Sequence, residues 1–339
     1  MLVLGIESSC DDTAAAVVED GARLLSSVVS SQDDIHGRYG GVVPELASRR
    51  HIETVIPVVE EALSRAGLSL EEIDAIGVTR GPGLVGSILV GLSFAKAIAY
   101  VSGKPFVGVN HIEAHSMAAF IDGGEGGQAP CFPLVALIVS GGHTTLLEYT
   151  SHCDYRVLGQ TRDDAAGEAF DKAAKLLGLG FPGGAAIDRA AGGGDASAVP
   201  FKRPMLEDKK NLDFSFSGIK TAVLNHISGL GRPPAPSETA DIAASFQEAV
   251  VDVLVEKAFR ALGATGSDTL IVAGGVACNS RLRARLAERA ASGRVRLFIP
   301  PPRLCSDNAA MVAAAAYHML KNGRRDPLSL NALPSWKSF

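Results

Sequence analysis

The strongest constraint on the fold is a pattern that occurs once in each half of the chain: an apolar run, a short loop of small polar residues, and a second apolar run. In the first half, residues 3–7 and 13–18 flank the loop SSCDD at residues 8–12. In the second half, residues 134–139 lead into SGGHT at residues 140–144. Apolar runs of this length, bounded by turn residues, indicate buried strands. The repetition indicates gene duplication and predicts an α/β protein of two βαβ-containing lobes with a ligand cleft between them.

The other elements alternate between strand and helix. We expect strands at residues 24–29, 73–79 and 269–273, and helices at residues 52–66, 88–100 and 279–290. Residues 31–51 are polar and contain glycine, which predicts an extended loop. The Gly/Pro-rich residues 122–133 predict the boundary between the lobes, and 339 residues are enough for two domains.

Composition indicates a packed globular protein of a reducing compartment. The five cysteines are scattered and form no CxxC pair, so a disulfide framework is not expected. The N-terminus lacks a basic region and its apolar run stops at Glu7, which predicts a strand and not a signal peptide. The longest apolar stretch, residues 309–317, is about half of the roughly 18 residues that a membrane span needs, so we expect a core helix there.

The sequence Asn110-His111-Ile112-Glu113-Ala114-His115 predicts a metal site. Positions i and i+4 share a helix face, so His111 and His115 can bind one ion. In the zinc-protease motif HExxH, the glutamate that acts as general base stands at i+1. Glu113 instead stands at i+2, roughly 200° around the helix from either histidine. Glu113 therefore points away from the ion, and a protease would lack its base.

A third ligand is needed to distinguish a metal site from two ordinary histidines, because a bare HxxxH is more often a pair of core or surface side chains. Asp307 is the candidate, and two imidazoles with one carboxylate suit Fe(II) or Zn. The alternative for Asp307 is an N-cap of the helix expected at residues 309–320. Both roles can hold together, because a helix start can present a polar side chain into a cleft.

Loops rich in glycine and hydroxyl groups indicate a nucleotide site. The loops at residues 8–13 and 140–144 can form backbone nests for phosphate, although alone each is an ordinary turn. Together they resemble the phosphate loops of the actin, sugar-kinase and Hsp70 superfamily, in which the turn matching residues 274–279 holds adenosine. A Rossmann fold is disfavoured because no GxGxxG follows the first strand. Glu168 and Asp171 are either an exposed helix face, with Glu168 paired to Lys172, or contacts to ribose hydroxyls.

Ten motifs in order make the chain resemble the bacterial TsaD family (also called Gcp or YgjD), the tRNA threonylcarbamoyladenosine transferases. They are GIESSCDDTAAAV at Gly5, SQDDIHGRYGGVVPELASRRH at Ser31, GPGLVGSILVG at Gly81, NHIEAH at Asn110, VSGGHT at Val139, GEAFDK at Gly167, FPGGAAID at Phe181, DFSFSGIKTAV at Asp213, GGVACN at Gly274 and CSDNAAM at Cys305. Departures are conservative: Ser8, Asp12 and Ser306 stand where Thr, Glu and Thr are common.

The resemblance implies a cytoplasmic enzyme that transfers the threonylcarbamoyl group from threonylcarbamoyl-AMP to N6 of adenosine 37 in tRNAs reading codons that begin with A, releasing AMP. It implies one metal ion per chain, Fe(2+) or another divalent ion such as Zn, held by His111, His115 and Asp307. The substrate residues it implies are Ile138, Val139, Ser140, Gly141, Gly142, Asp171, Gly184, Asp188 and Asn279.

The resemblance also implies the organisation of the chain and its partners. Residues 1–130, completed by a C-terminal helix at about 308–339, would form the N-terminal actin-like lobe, and residues 131–307 the C-terminal lobe. A TsaB-like paralogue, a TsaE-like ATPase and tRNA are the implied partners, and no membrane is involved. Three other functions stay open on the residues alone: a small-molecule kinase of the actin superfamily, a metalloprotease and a non-catalytic scaffold.

Overall fold

The computed structural model describes residues 1–123 and 128–336. The chain divides into two compact units. Unit 1 comprises Met1–Pro130, Ser151–Asp154 and Ile299–Phe339, and unit 2 comprises Cys131–Thr150 and Tyr155–Phe298. Part of the predicted boundary, residues 124–127, and the end of the predicted C-terminal segment, residues 337–339, lie outside the described residues.

Unit 1 is built on a five-stranded mixed sheet with the order β3-β2-β1-β4-β5. β1 pairs antiparallel with β2 and parallel with β4, β2 pairs antiparallel with β3, and β4 pairs parallel with β5. The strands are β1 (Leu2–Glu7), β2 (Thr13–Glu19), β3 (Arg23–Ser30), β4 (Ala75–Gly81) and β5 (Phe106–Asn110). The strands predicted from the first half of the sequence are confirmed, with ends that differ by one or two residues.

Unit 2 repeats this topology. Its sheet has the order β10-β9-β6-β7-β8, and β6 pairs antiparallel with β7 and parallel with β9. The strands are β6 (Leu134–Val139), β7 (Thr144–Ser151), β8 (Asp154–Gln160), β9 (Thr269–Ala273) and β10 (Arg296–Phe298). Each sheet therefore has its first strand in the middle, a meander on one side and two parallel strands on the other, as expected for a duplicated fold.

Helices flank both sheets. Those of unit 1 are α1 (Asp33–His36), α2 (Pro44–Ala66), α3 (Val85–Ser102), α4 (His111–Met117), α10 (Pro302–Cys305) and α11 (Ala309–Lys321). Those of unit 2 are α5 (Ala166–Leu176), α6 (Gly183–Ala191), α7 (Ser217–Gly229), α8 (Pro236–Thr265) and α9 (Ser280–Gly293).

The start of α2 corrects the expectation of a loop over residues 31–51. The helix begins at Pro44, eight residues before the predicted start at residue 52, and α1 forms a further turn within the expected loop. Proline fits the first turn of a helix because its missing N–H would have no partner there. Ala47 and His51 lie one turn apart and are both fully buried, so this segment has an inward face that the polar composition conceals.

The most apolar long helix is α3, and not the segment 309–317 expected from sequence. α3 has 18 residues and is apolar enough to cross a membrane by length and composition, with 33% of it buried. That is weak support for a span, because core helices pass the same test. Ile88, Leu92 and Ala95 are buried on its inner side. α11, in contrast, is a core helix as predicted, with residues 309–316 all buried.

The C-terminal helix α11 lies directly against the sheet of unit 1. Two strand glycines make this possible, because a Cβ on Gly5 would collide with the carbonyl of Ala309, and one on Gly77 with the side chain of Ala316. The close approach fixes the residues that immediately precede α11, including Asp307.

Candidate metal centre and nucleotide pocket

The two histidines of the predicted metal site lie on α4 in unit 1. Asn110 ends β5 and caps α4, since its side-chain oxygen accepts hydrogen bonds from the backbone N–H of Ile112 (2.8 Å) and Glu113 (3.3 Å). The helix therefore starts at His111 and places His115 one turn later on the same face. Their ring centroids are 4.7 Å apart, and both rings are buried.

Asp307 completes a group of three. Its Oδ1 lies 3.5 Å from Nε2 of His111 and 3.3 Å from Nε2 of His115, and one ligand atom from each residue lies within 4.8 Å of the others. The side chain of Asp307 is 19% exposed, so the group is open on one side. Asp307 is not the cap of α11: Asn308 accepts the hydrogen bond from the N–H of Met311 at 3.0 Å. The N-cap interpretation of Asp307 is therefore wrong.

His115 provides an observation that points to an ion. The residue is fully buried, and within residues 1–123 and 128–336 its Nδ1 has no hydrogen-bond partner, while its Nε2 faces only the Oδ1 of Asp307, at 3.3 Å. The great majority of buried polar side-chain atoms in proteins have a hydrogen-bond partner. Two imidazoles and one carboxylate are the donor set that Fe(II) or Zn takes, so the three residues fit a metal ion.

The electrostatics of the site also suit a cation. Burial raises the pKa of Asp12 to about 7, with the nearby charges of Asp307 and Asp11 adding to the rise. Burial likewise raises the pKa of Asp11. A positive ion beside these carboxyl groups would relieve their mutual repulsion.

Glu7 is a neighbour of the metal group that sequence reasoning missed. Its Oε2 lies 3.0 Å from Nδ1 of His111 and accepts a hydrogen bond from the Thr79 hydroxyl at 2.6 Å. Burial alone would raise the pKa of Glu7, but the charge of His111 and these hydrogen bonds outweigh it and lower the pKa. Burial opposes the charge of His111, yet Asp307 and Glu7 raise the pKa of that imidazole to about 9. The available signal was a single glutamate at the end of an apolar strand.

Glu113 lies outside the group of three. It is buried, and burial raises its pKa to about 7 against the opposing charge of Arg324. The position that a protease base would take beside the ion is not filled by this glutamate, as its spacing predicted.

The hydroxyls of the first loop are engaged within the protein. Ser8 donates to the backbone carbonyl of Ser87 at 2.9 Å, and Ser9 Oγ lies 3.2 Å from Nδ1 of His111. Both serines are buried. In this structure the loop at residues 8–12 supports the metal group, while the predicted phosphate nest has no free hydroxyl from these two residues.

Unit 2 contains a cavity of about 340 Å³. Five of the nine predicted substrate residues line it, namely Gly141, Asp171, Gly184, Asp188 and Asn279, together with Gly167, Phe170, Pro182, Ala185, Gly275, Val276 and Cys278. The other four, Ile138, Val139, Ser140 and Gly142, are not among its lining residues. Ile138 and Val139 are fully buried at the end of β6, so neither residue presents surface to a ligand.

The loop at residues 140–144 offers two backbone N–H groups. Ser140 donates its own N–H to the carbonyl of His143 at 2.8 Å, so that amide is occupied. Gly141 and Gly142 are exposed, and among the described residues neither donates to a backbone carbonyl outside helices and strands. Within the backbone nest predicted at residues 140–144, these two glycines are therefore the candidates for donating to a phosphate group.

Both the oxygen and the nitrogen of the Asn279 side-chain amide form hydrogen bonds within the protein. Its oxygen caps α9 by accepting from the N–H of Leu282 at 2.9 Å. Its Nδ2 donates to Oε1 of Gln247 at 2.7 Å and to Oδ1 of Asp188 at 3.3 Å. Asn279 thus orients Asp188 together with Ser280, whose N–H and hydroxyl donate to the same carboxylate at 3.1 and 2.8 Å. Direct reading of an adenine edge by Asn279 would have to replace its bonds within the protein. Gln247, buried on α8, carried no sequence signal.

The two acidic residues of α5, Glu168 and Asp171, have different surroundings. Glu168 forms an ion pair with Lys172 at 2.7 Å, which confirms the helix-face interpretation for that residue. Asp171 lines the cavity and accepts a hydrogen bond from the N–H of Gly183 at 2.8 Å, which connects α5 to the start of α6.

Comparison with known proteins gives one family across most of the chain. Residues 23–314 match the family described as tRNA N6-adenosine threonylcarbamoyltransferase, TsaD. A curated relative with that name from Anaeromyxobacter dehalogenans strain 2CP-C is 58% identical over 336 residues, covering 99% of each chain.

Solved structures show the fold. Component A of the (R)-2-hydroxyglutaryl-CoA dehydratase of Acidaminococcus fermentans superposes with a TM-score of 0.54 at 16% identity, covering 95% of this chain and 99% of that one. Full-length HypF in its phosphate- and nucleotide-bound form superposes with a TM-score of 0.60 at 13% identity, covering 94% and 55%. The predicted α/β actin-like fold is confirmed.

Proposed function

Because this chain belongs to the family of tRNA N6-adenosine threonylcarbamoyltransferases, we propose how its residues perform that transfer. The chain is a transferase that places a threonylcarbamoyl group on N6 of an adenosine in tRNA. We infer that the donor is threonylcarbamoyl-AMP, that the acceptor is adenosine 37 of tRNAs reading codons that begin with A, and that AMP is released.

The reaction requires the enzyme to position donor and acceptor and to stabilise the charge that develops as AMP leaves. The N6 nitrogen attacks the carbamoyl carbon, the bond from that carbon to the phosphate oxygen breaks, AMP leaves with the electron pair, and N6 loses a proton. AMP is a good leaving group, so no covalent serine or cysteine intermediate is required. The acceptor adenosine must be splayed out of its loop to reach the enzyme.

The adenylate part of the donor binds in the cavity of unit 2. Asp171 and Asp188 there are acceptors for ribose hydroxyls, and the N–H groups of Gly141 and Gly142 are donors for phosphate oxygens. The cavity volume of about 340 Å³ supports a ligand of nucleotide size. Ile138, Val139 and Ser140 would contribute only by supporting the loop.

His111, His115 and Asp307 hold one divalent ion, Fe(2+) in our proposal. Such an ion supplies Lewis-acid stabilisation of negative charge on oxygen. The chain's own task is to keep two imidazole nitrogens and one carboxylate oxygen converging on a point, and the start of α4 and the docking of α11 both serve it. The observation that carries this assignment is the convergence of the three ligand atoms within 4.8 Å around His115, whose buried Nε2 faces only Asp307 within the described part of the chain.

Metal content tests the ligand set. We expect wild-type protein loaded with Fe(2+) or Zn(2+) to retain one ion per chain, and the His111→Ala, His115→Ala double variant to retain none. His226→Ala, which removes an imidazole from α7 in unit 2, serves as the control. Full metal content in the double variant would rule out these ligands.

The mass of nucleosides from treated tRNA tests the reaction. Protein, metal, partner proteins and threonylcarbamoyl-AMP should yield N6-threonylcarbamoyladenosine, and omitting the donor should abolish it. Absence of the modified nucleoside in the complete mixture would refute the assignment of donor and acceptor.

A TsaB-like paralogue and a TsaE-like ATPase complete the enzyme in our proposal. The helices α2 and α3, which contact each other, carry the large exposed apolar side chains Ile52, Ile56, Val85 and Leu89. Such a patch is the kind of surface that a protein partner covers, and we assign it to the paralogue. We also propose that the lobes predicted at residues 1–130 and 131–307 are the functional units, and that the protein works in the cytoplasm with its tRNA.

A further inference from the structure

A buried carboxylate stands behind the metal group. Glu7 ends β1, is fully buried, and lies among three donors of unit 1. The backbone N–H of Ser9 donates to its Oε1 at 2.6 Å, and the hydroxyl of Thr79 donates to its Oε2 at 2.6 Å. Nδ1 of His111 lies 3.0 Å from the same Oε2.

A charge at this place needs a reason. The five residues before Glu7 on β1 are apolar or glycine, and the strand lies in the centre of the sheet. Removing a carboxylate from water is unfavourable unless its partners compensate for the lost hydration. Ser9 and Thr79 are neutral donors to different oxygens of Glu7, so their bonds need acceptor atoms but not a negative charge. The contact with His111 is the one in which charge matters.

The geometry assigns the two nitrogens of His111 to different tasks. Nδ1 faces Glu7, while Nε2 faces Oδ1 of Asp307 at 3.5 Å. A hydrogen bond from Nδ1–H to a carboxylate fixes the tautomer and the ring orientation and makes Nε2 a better ligand. His115 has no such support among the described residues, because Nδ1 of that ring lacks a hydrogen-bond partner there.

We propose that Glu7 is a positioning residue for the metal site: it accepts a hydrogen bond from Nδ1–H of His111 and thereby directs the Nε2 lone pair of that ring at the ion. This inference rests on the metal site proposed above. It adds a residue of the first strand to a site otherwise built from α4 and the segment before α11.

Metal affinity measured by competition with a chromogenic chelator, using Zn(2+) and Co(2+) alone, tests the role. We expect Glu7→Gln to weaken binding by about 10- to 100-fold, the usual effect of losing such a partner. Thr79→Val removes a different bond to Glu7 and leaves its contact with His111, so its affinity should stay near that of wild type. Ser9→Ala removes the hydroxyl near Nδ1 and reveals whether that group, and not Glu7, holds the ring.

The NMR spectrum of the zinc-loaded wild-type protein provides a second readout, which does not require any variant to fold. Long-range 1H–15N correlations should show His111 with its proton on Nδ1 and zinc on Nε2. Equal affinity in Glu7→Gln and wild type, a loss confined to Ser9→Ala, or zinc on Nδ1 of His111 would each overturn the proposal. If wild-type protein binds neither metal, the metal site proposed above is refuted, and the role of Glu7 is refuted with it. This result differs from the three above, in which the metal binds but Glu7 does not position His111.

Discussion

Neighbouring residues Asp307 and Asn308 divide two tasks that either side chain could perform. Asn308 is fully buried and caps α11, while Asp307 is partly exposed and faces the two histidines. A cap needs only a short side chain that accepts a backbone N–H. Which of two adjacent cap-forming residues takes the role depends on the backbone angles at the helix start, and here the outcome leaves a carboxylate beside the imidazoles.

Asn279 combines a cap with a link to Asp188, and two substitutions separate these roles. We expect Asn279→Ala to lower the free energy of unfolding by about 1 kcal/mol through loss of the cap. Asn279→Ser should keep near-wild-type stability, because its hydroxyl can accept the N–H of Leu282 but cannot reach Gln247 or Asp188. Both variants should bind AMP more weakly than wild type. Urea unfolding and calorimetric titration with AMP measure the two effects, and equal stability losses would contradict the cap.

His318 predicts an acid-sensitive contribution to stability. Its ring stacks on His152 with centroids 3.6 Å apart, and burial, with a smaller contribution from His152, lowers the pKa of His318 from 6.5 to about 4. Between these pH values the unfolded chain holds more protons than the folded chain, so stability falls as pH decreases from 6.5 to about 4. His318→Phe should keep the stack and show a smaller loss of stability over this range.

Chemical unfolding of wild type and His318→Phe at pH 7, 5.5 and 4 measures the difference. His226→Phe, in which a half-buried imidazole of α7 is replaced, controls for the loss of a histidine as such. Parallel pH profiles for wild type and His318→Phe would show that this residue does not contribute.

Among the elements, the first turn of α6 forms part of the wall of the cavity. A Cβ on Gly184 would meet nothing within 4 Å, and its φ is not positive, so a side chain there would enter the cavity without backbone strain. We expect Gly184→Leu to weaken AMP binding by roughly tenfold or more, about 1.4 kcal/mol, while the protein stays folded. Gly263→Leu on α8 also has open space and lies outside the cavity lining, so it should bind AMP as wild type does.

Three arginines of the basic helix α9 pair with carboxylates of its neighbour α8. Arg281 and Arg285 both pair with Glu248, Arg285 also reaches Asp252 at 3.1 Å, and Arg289 lies 3.2 Å from Glu256. This ladder joins two helices within unit 2, and its cations are committed to carboxylates. Arg281 and Arg285 are therefore weaker candidates for tRNA contact than exposed cations that have no carboxylate partner.

Two sets of variants separate structural from tRNA-binding cations. We expect Arg285→Gln to lower the free energy of unfolding and leave tRNA affinity nearly unchanged. Lys209 and Lys210 are exposed and form no ion pair within the described part of the chain. Replacing both with glutamine should reduce the slope of log affinity against log salt by about one for each tRNA phosphate that a lysine had neutralised. A change of slope in Arg285→Gln alone would reverse the assignment.

The whole molecule is acidic, with a formal net charge of -5, although its substrate is a polyanion. Phosphate contacts from Lys and Arg normally dominate affinity for nucleic acid. We therefore expect the isolated chain to bind tRNA weakly, to lose this binding as salt is added, and to turn over slowly. Adding the TsaB-like and TsaE-like partners with threonylcarbamoyl-AMP should accelerate formation of the modified adenosine. Several rapid turnovers by the purified chain alone would show that partners are not required.

Features that depend on near neighbours in the chain could be predicted from the amino-acid sequence. The strands Thr269–Ala273 and Leu134–Val139 follow from short apolar runs between turn residues, and the shared face of His111 and His115 follows from the helical repeat. The duplicated order of elements could also be predicted from the sequence, because each half repeats the same succession of strand, loop and strand. The start of α2 was missed because its inward side chains, Ala47 and His51, do not form an apolar pattern.

Which distant residues meet is a property of the folded chain alone. Glu7 reaches His111 because β1, β4 and β5 pair side by side, and Asp307 approaches the histidines because α11 packs over Gly5 and Gly77. The neutralised arginines of α9 and the contact of Gln247 with Asn279 depend in the same way on the docking of α8. These contacts join segments far apart in the chain, and periodicity and spacing carry no information about the packing that closes such loops.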